Sequence, residues 1–198
     1  MGAALAIERD GVVYFGIDAV KRSDNLCYYV NEESNLKIHR FPSGILCAAV
    51  GRMAFAQRLY LHEEWFELAE GERFDKEFIV RKIIPRYYQE IKDLDGWHHP
   101  KSGYASRIDA DFILARGGDM YVIRGDLSVL KCRGAAAISD NDADEILVAY
   151  ACASGIASPE ETVRRAFALA SRVRRGISTR GFLINTRDLE LTRMEETK

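Results

Sequence analysis

The hydrophobic period of this chain switches from strand-like to helix-like and back, twice over, and that alternation is what most limits its fold. Up to Val50 the apolar residues fall in short runs: Ala4 to Ile7, Val12 to Ile17, Leu26 to Val30, Leu36 to Phe41 and Ile45 to Val50. The first two flank Arg9-Asp10-Gly11. Asp-Gly between β-rich runs signals a tight hairpin, because its turn needs positive φ that glycine tolerates. The run Ile45 to Val50 is almost wholly apolar, which predicts a strand covered on both faces.

From Arg52 the spacing becomes helical. Phe55, Leu59, Leu61, Trp65, Phe66 and Leu68 fit one long amphipathic helix ending near Gly71. A second helix is read from Lys76 to about Leu94, with Pro85 expected to bend or interrupt it. Asp95 to Ser106 reads as a surface loop. Three strands follow, at Asp111 to Ala115, Met120 to Arg124 and Leu127 to Cys132. Asp142 to Ser154 is read as helical, with acidic residues in the first turn where the helix dipole favours them. Ser158-Pro159-Glu160-Glu161 opens a second helix: Ser caps, Pro suits the first turn and Glu161 reaches back. Phe182 to Ile184 and Leu189 to Leu191 supply closing strands. Runs of strands alternating with runs of helices predict an α+β fold rather than a βαβ repeat. The expected architecture is a four-layer αββα sandwich, two antiparallel sheets between helix pairs.

Composition narrows the function classes. The 198 residues suit one domain, 1–198, with a substantial core. Net charge is −2 and the sequence pI about 6.1, so no general affinity for nucleic acid is expected. No apolar run reaches the ~20 residues of a membrane helix, and no basic region followed by an apolar core marks a signal peptide. Cys27, Cys47, Cys132 and Cys152 lie in or beside apolar stretches and read as buried reduced thiols. The expected compartment is cytoplasmic.

Several motifs, in this order, resemble one family. They are the Asp-Gly hairpin leading into Gly16-Ile17-Asp18, Leu36-Lys37-Ile38 before the apolar strand, and Ala48-Ala49-Val50-Gly51 running into the first helix. Ala136-Ala137-Ile138-Ser139 before the third helix, and a capped, Ala-rich final helix followed by a Gly-containing loop, complete the set. Together they resemble the N-terminal-nucleophile (Ntn) hydrolases, namely proteasome β-subunits and the bacterial ring-shaped ATP-dependent peptidase.

The resemblance implies a site. In that family an N-terminal Thr hydroxyl attacks a peptide carbonyl, and its α-amine takes the proton. The matching position here is Gly2, which has no side chain. Asp18 and Lys37 fall at the family's supporting Asp and Lys; an Asp-Lys pair at a strand end reads equally well as a structural ion pair. Ala48 falls at the residue whose amide stabilises the oxyanion. Asp140 replaces a Ser before the third helix, and Val173 to Ser178 offers Arg174, Arg175 and Ser178 where the family has an Asp and a Ser.

Other nucleophiles fit poorly. Cleavage before Ser23, the first Ser or Thr, would remove the opening hairpin. Cys47 adjoins Ala48, but strand alternation turns it to the other face. His98-His99 lack a Cys or third ligand nearby, so no metal is expected, and no cofactor. Lys101 to Arg107 and Arg172 to Arg180 gather basic charge; the second run, Arg172, Arg174, Arg175 and Arg180, could face a partner subunit or an anion, but reads more simply as a solvated helix end favoured by the dipole.

Three functions follow from the resemblance. The first is a non-catalytic subunit assembling with copies of itself or sister subunits, with an ATP-dependent unfoldase as a further expected partner. The second is an amide hydrolase using the Asp18-Lys37 pocket with an unconventional nucleophile. The third is a small-molecule module using the vacated cleft.

Overall fold

In the computed structural model, strand β1 (Ala3–Arg9) turns into β2 (Val12–Asp18) through Asp10 and Gly11 at φ of 52° and 73°. Both central residues have positive φ, as a type I′ hairpin turn requires. The structure describes residues 2–23, 26–29, 37–94, 107–140, 142–155 and 157–194, the hairpin at 20–29 as backbone. The histidines at 98 and 99 and most of the 101–107 basic segment lie outside these residues.

The next elements are β3 (Val20–Ser23), β4 (Leu26–Tyr29), β5 (Ile38–Arg40) and β6 (Leu46–Gly51). The helical stretch comprises α1 (Met53–Tyr60), a 3-10 turn (Glu63–Phe66), α2 (Lys76–Phe78), a π turn (Ile79–Ile83) and α3 (Ile84–Ile91). Four strands follow: β7 (Ala110–Arg116), β8 (Asp119–Ile123), β9 (Val129–Cys132) and β10 (Ala135–Ser139). Helices α4 (Asp144–Ala153) and α5 (Pro159–Val173) and strands β11 (Gly181–Asn185) and β12 (Thr192–Met194) complete the order.

Two five-stranded antiparallel sheets result, ordered β10-β1-β2-β11-β12 and β5-β6-β7-β8-β9, with β3-β4 as a separate ribbon. Successive strand residues point to opposite faces, and the cores follow that alternation. Ala4 and Ala6 of β1, Phe15 and Ile17 of β2, and Leu46, Ala48 and Val50 of β6 pack between the sheets. Ala3, Leu5 and Ile7 face α4 and α5, whereas Cys47 and Ala49 face the α1–α3 layer. The architecture is therefore the expected αββα sandwich. Burying each large core side chain, such as Phe112 or Phe167, contributes roughly 1.5–3 kcal/mol.

Several elements differ from the sequence reading. The first helix stops at Tyr60, not near Gly71, and a 3-10 turn replaces its second half. The break brings the adjacent Trp65 and Phe66 both into the core, with His62 stacked on Trp65 at 4.0 Å. Pro85 does not break the second helix, whose backbone stays helical from Lys76 to Ile91; the α pattern gives way to a π turn just ahead of it. The proline stands in the first turn of α3, where its missing N–H is tolerated, and the π turn ahead of it keeps Ile79 and Ile83 in the core.

Two strands were not anticipated, β3 in a polar stretch and β10 on the outer side of β1, and the last strand lies at Thr192–Met194 rather than Leu189 to Leu191. Ser158 accepts from the Glu161 amide at 3.2 Å as expected, but the Glu161 carboxylate binds Arg165 instead of reaching back. Among the cysteines whose side chains are described, Cys47 is buried, Cys132 half-buried and Cys152 exposed near the end of α4, so the buried-thiol reading holds for Cys47 of these three; the Cys27 side chain lies outside the described residues.

Candidate functional site

The antiparallel register sets Asp18, the last residue of β2, opposite Gly181 on one side and one step beyond the Ala4–Ile17 pair on the other. Its Oδ1 accepts from the Ala3 amide at 3.0 Å and from Lys37 Nζ at 2.7 Å. Lys37 arrives from the other sheet. Its carbonyl accepts from the Ala49 amide at 2.8 Å and from the Tyr60 hydroxyl at 3.1 Å, so β6 and α1 together pin the backbone carrying the ammonium. The ion pair thus bridges the two sheets, and both members are buried, Asp18 at 1% and Lys37 at 6% exposure.

Gly2 lies directly against this pair. A β-carbon built there would be 2.9 Å from Asp18 Oδ1 and closer still to Lys37 Nζ. The lysine ammonium occupies the space a side chain at position 2 would fill. The Gly2 carbonyl accepts from the Asp140 amide at 3.2 Å, so Asp140 joins the site through its backbone.

Electrostatics here are set by burial. Desolvation pushes the Asp18 carboxyl above its ordinary value; the Lys37 ammonium and the Ala3 amide oppose that shift. Its Oδ2 is buried and has no hydrogen-bond partner among the described residues. Burial also pushes the Cys47 thiol far up, which disfavours the thiolate a nucleophile needs. As the alternation predicts, Cys47 faces the α1–α3 layer and Ala48 the space between the sheets.

Ala48 does not serve as expected. It sits mid-strand, opposite Ile38 on β5 and Ile113 on β7. The Ala49 amide binds Lys37 on the β5 side, and the Arg52 amide binds Asp109 on the β7 side. Alternation therefore directs the Ala48 amide into the β7 ladder, away from a role as a free oxyanion donor.

Beside Asp140 lies a cavity of about 80 Å³ lined by Val50, Gly51, Arg107, Asp109, Asp111 and Asp140. A wider depression of about 520 Å³ shares Arg107, Asp111 and Ser139 with it. There Asp111 binds Arg124 at 2.8 Å and the Gly125 amide at 2.7 Å, and burial raises its carboxyl against the pull of Arg124. Among the described residues no group of three His, Cys, Asp or Glu side chains is placed to hold a metal.

The structure thus unites Gly2, Asp18 and Lys37, adds the Asp140 backbone, and leaves Ala48 in the ladder. Ser178 is buried but donates no carboxylate; its hydroxyl accepts from the Arg180 amide at 2.9 Å. Sequence reasoning missed Tyr60 as the anchor of Lys37, which nothing in a helical aromatic signals. It also missed Ser139, whose hydroxyl accepts from the Ala143 and Asp144 amides at 2.8 and 3.1 Å. A Ser shortly before an acidic helix start is a recognisable capping signal.

No protein-family model matches the chain, and no curated protein does at sequence level. Solved structures do. Thiobacillus denitrificans BPH superposes with a TM-score of 0.67 at 13% identity, over 98% of this chain and 100% of that one. The same protein in complex with epoxomicin gives 0.65 at 12% identity, with the same coverage. Eukaryotic HslV from Trypanosoma brucei gives 0.65 at 16% identity, over 92% of this chain and 98% of that one. At such identities the likeness concerns the fold, and with the layer order above it is specific: the chain has the proteasome-like fold of the Ntn hydrolases.

Proposed function

We propose that this chain is a non-catalytic, proteasome-like subunit, acting as an assembly or regulatory component of a protein-degrading particle. The observation that carries the reading is Gly2 at the position where the fold elsewhere presents a hydroxyl. A glycine offers nothing to form an acyl intermediate with, and a fold does not guarantee its usual chemistry. Partners on this reading are copies of the chain or sister subunits, with an ATP-dependent unfoldase as a possible client-delivering component. A cytoplasmic setting suits it, and no described helix is long and apolar enough to cross a membrane.

A second reading, an amide hydrolase with an unconventional nucleophile, draws on the retained Asp18–Lys37 pair. The small-molecule module has less to draw on, because Lys37 already fills the space at Gly2. Hydrolysis of a fluorogenic peptide panel separates them. The wild-type protein and Asp18→Asn should both match the buffer blank. Turnover above blank that Asp18→Asn abolishes would establish the hydrolase instead.

A further inference from the structure

A cavity of about 380 Å³ opens between β5 of one sheet and β11 of the other, and none of Gly2, Asp18 or Lys37 lines it. Its volume falls in the range of small-ligand sites, about 300–1,000 Å³. Ile38 and Ile184 line it from the two sheets, and Leu189 and Leu191 from the segment between β11 and β12. All of these side chains pack against the core between the sheets, so the cavity is an apolar inlet into that core. Leu189 holds its place in the wall at φ of 56°, and such strain in a bulky residue recurs at ligand clamps.

Polar groups meet on the same rim. Arg40 is exposed, and its Nη1 donates to the Leu189 carbonyl at 3.0 Å, which steadies the guanidinium and leaves its other N–H groups for a ligand. Glu190, also exposed on this rim, has no ion-pair partner among the described residues. His39, between Ile38 and Arg40, turns its ring to the other face and stacks on Tyr60 at 4.8 Å. Strand β5 ends its sheet, and the Lys37 carbonyl and Phe41 amide bond on the β6 side. By strand parity the Ile38 and Arg40 peptide groups therefore point off the free edge, adding donors and acceptors there.

A cation, an anion and an apolar inlet at one place complement a small molecule that carries both charges on one carbon and an apolar tail. We propose that this cavity binds a free apolar α-amino acid such as leucine. The ligand carboxylate pairs with Arg40 through charge-assisted hydrogen bonds, its ammonium pairs with Glu190, and its side chain enters the inlet beside Ile38 and Ile184. A plain carboxylic acid leaves Glu190 unmatched beside its head group, and an alkylamine leaves Arg40 unmatched, so the rim discriminates against both. The inference stands apart from the catalytic status of Gly2.

Titrating the methyl-labelled full chain with L-leucine, followed by proton–carbon NMR, tests it. The Ile38, Ile184, Leu189 and Leu191 methyl signals should shift saturably, while those of the outer helical layers stay in place. Isocaproate, which lacks the amine, and isoamylamine, which lacks the carboxylate, should each bind about tenfold or more weakly than leucine. Leucine should lose affinity by a similar factor for Arg40→Gln and for Glu190→Gln. Because Glu190 is exposed and makes no ion pair among the described residues, Glu190→Gln leaves the fold intact and keeps the comparison valid. Cavity methyl signals that stay still up to the solubility limit of leucine would overturn the site. Isocaproate binding as tightly as leucine, with Glu190→Gln unchanged in affinity, would overturn the amino-acid assignment in favour of a plain carboxylate. Saturable shifts confined to another part of the chain would overturn the location.

Discussion

Lys37 does two things at once: it neutralises a buried carboxylate and fills the space beside Gly2. Removing one member of a buried pair leaves an uncompensated charge, so Lys37→Met should destabilise the fold by ~3–5 kcal/mol. The pH dependence gives the sharper check. Burial already holds Asp18 above its ordinary value of 3.8. A carboxyl raised in the folded state favours folding below that value, and this contribution is lost as pH rises through the raised folded value. Without Lys37 the folded value rises further. The variant's deficit relative to wild type should therefore widen with increasing pH, read by urea unfolding at several pH values; parallel profiles would show that the two groups are not coupled. At this scale the proximity of Gly2, Asp18 and Lys37 was legible through the resemblance, which set the three at matching positions. It misled at Ala48, because whether an amide is free depends on ladder parity, which only the register of three strands reveals.

Among the elements, the contact of α5 on β2 leaves little room for change. A β-carbon on Gly16 would strike the Val163 side chain and crowd Phe167, both fully buried. Gly16→Ala should cost ~1–3 kcal/mol by overpacking, visible as a lower urea midpoint with an unchanged slope. An unchanged midpoint would mean that the helix can move away from the sheet. Strong periodic segments such as β1, β2, β6 and α5 were legible in the sequence because one residue pattern and one cap defined each. The 3-10 turn at Glu63–Phe66 was not, since Trp65 and Phe66 fit a helical pattern until tertiary packing drew both inward. Neither was β3, whose polar residues show no apolar alternation, nor β10, whose small residues follow a turn without a hairpin signature.

For the whole molecule, the order of strand and helix runs was enough to anticipate four layers, because each apolar face has one neighbour that can cover it. The central claim concerns the missing hydroxyl at Gly2, and the mass of the intact protein after incubation with epoxomicin tests it most directly. The account predicts an unchanged mass. A gain equal to one inhibitor, lost when Asp18 is changed to Asn, would mean that a nucleophile works in this pocket after all.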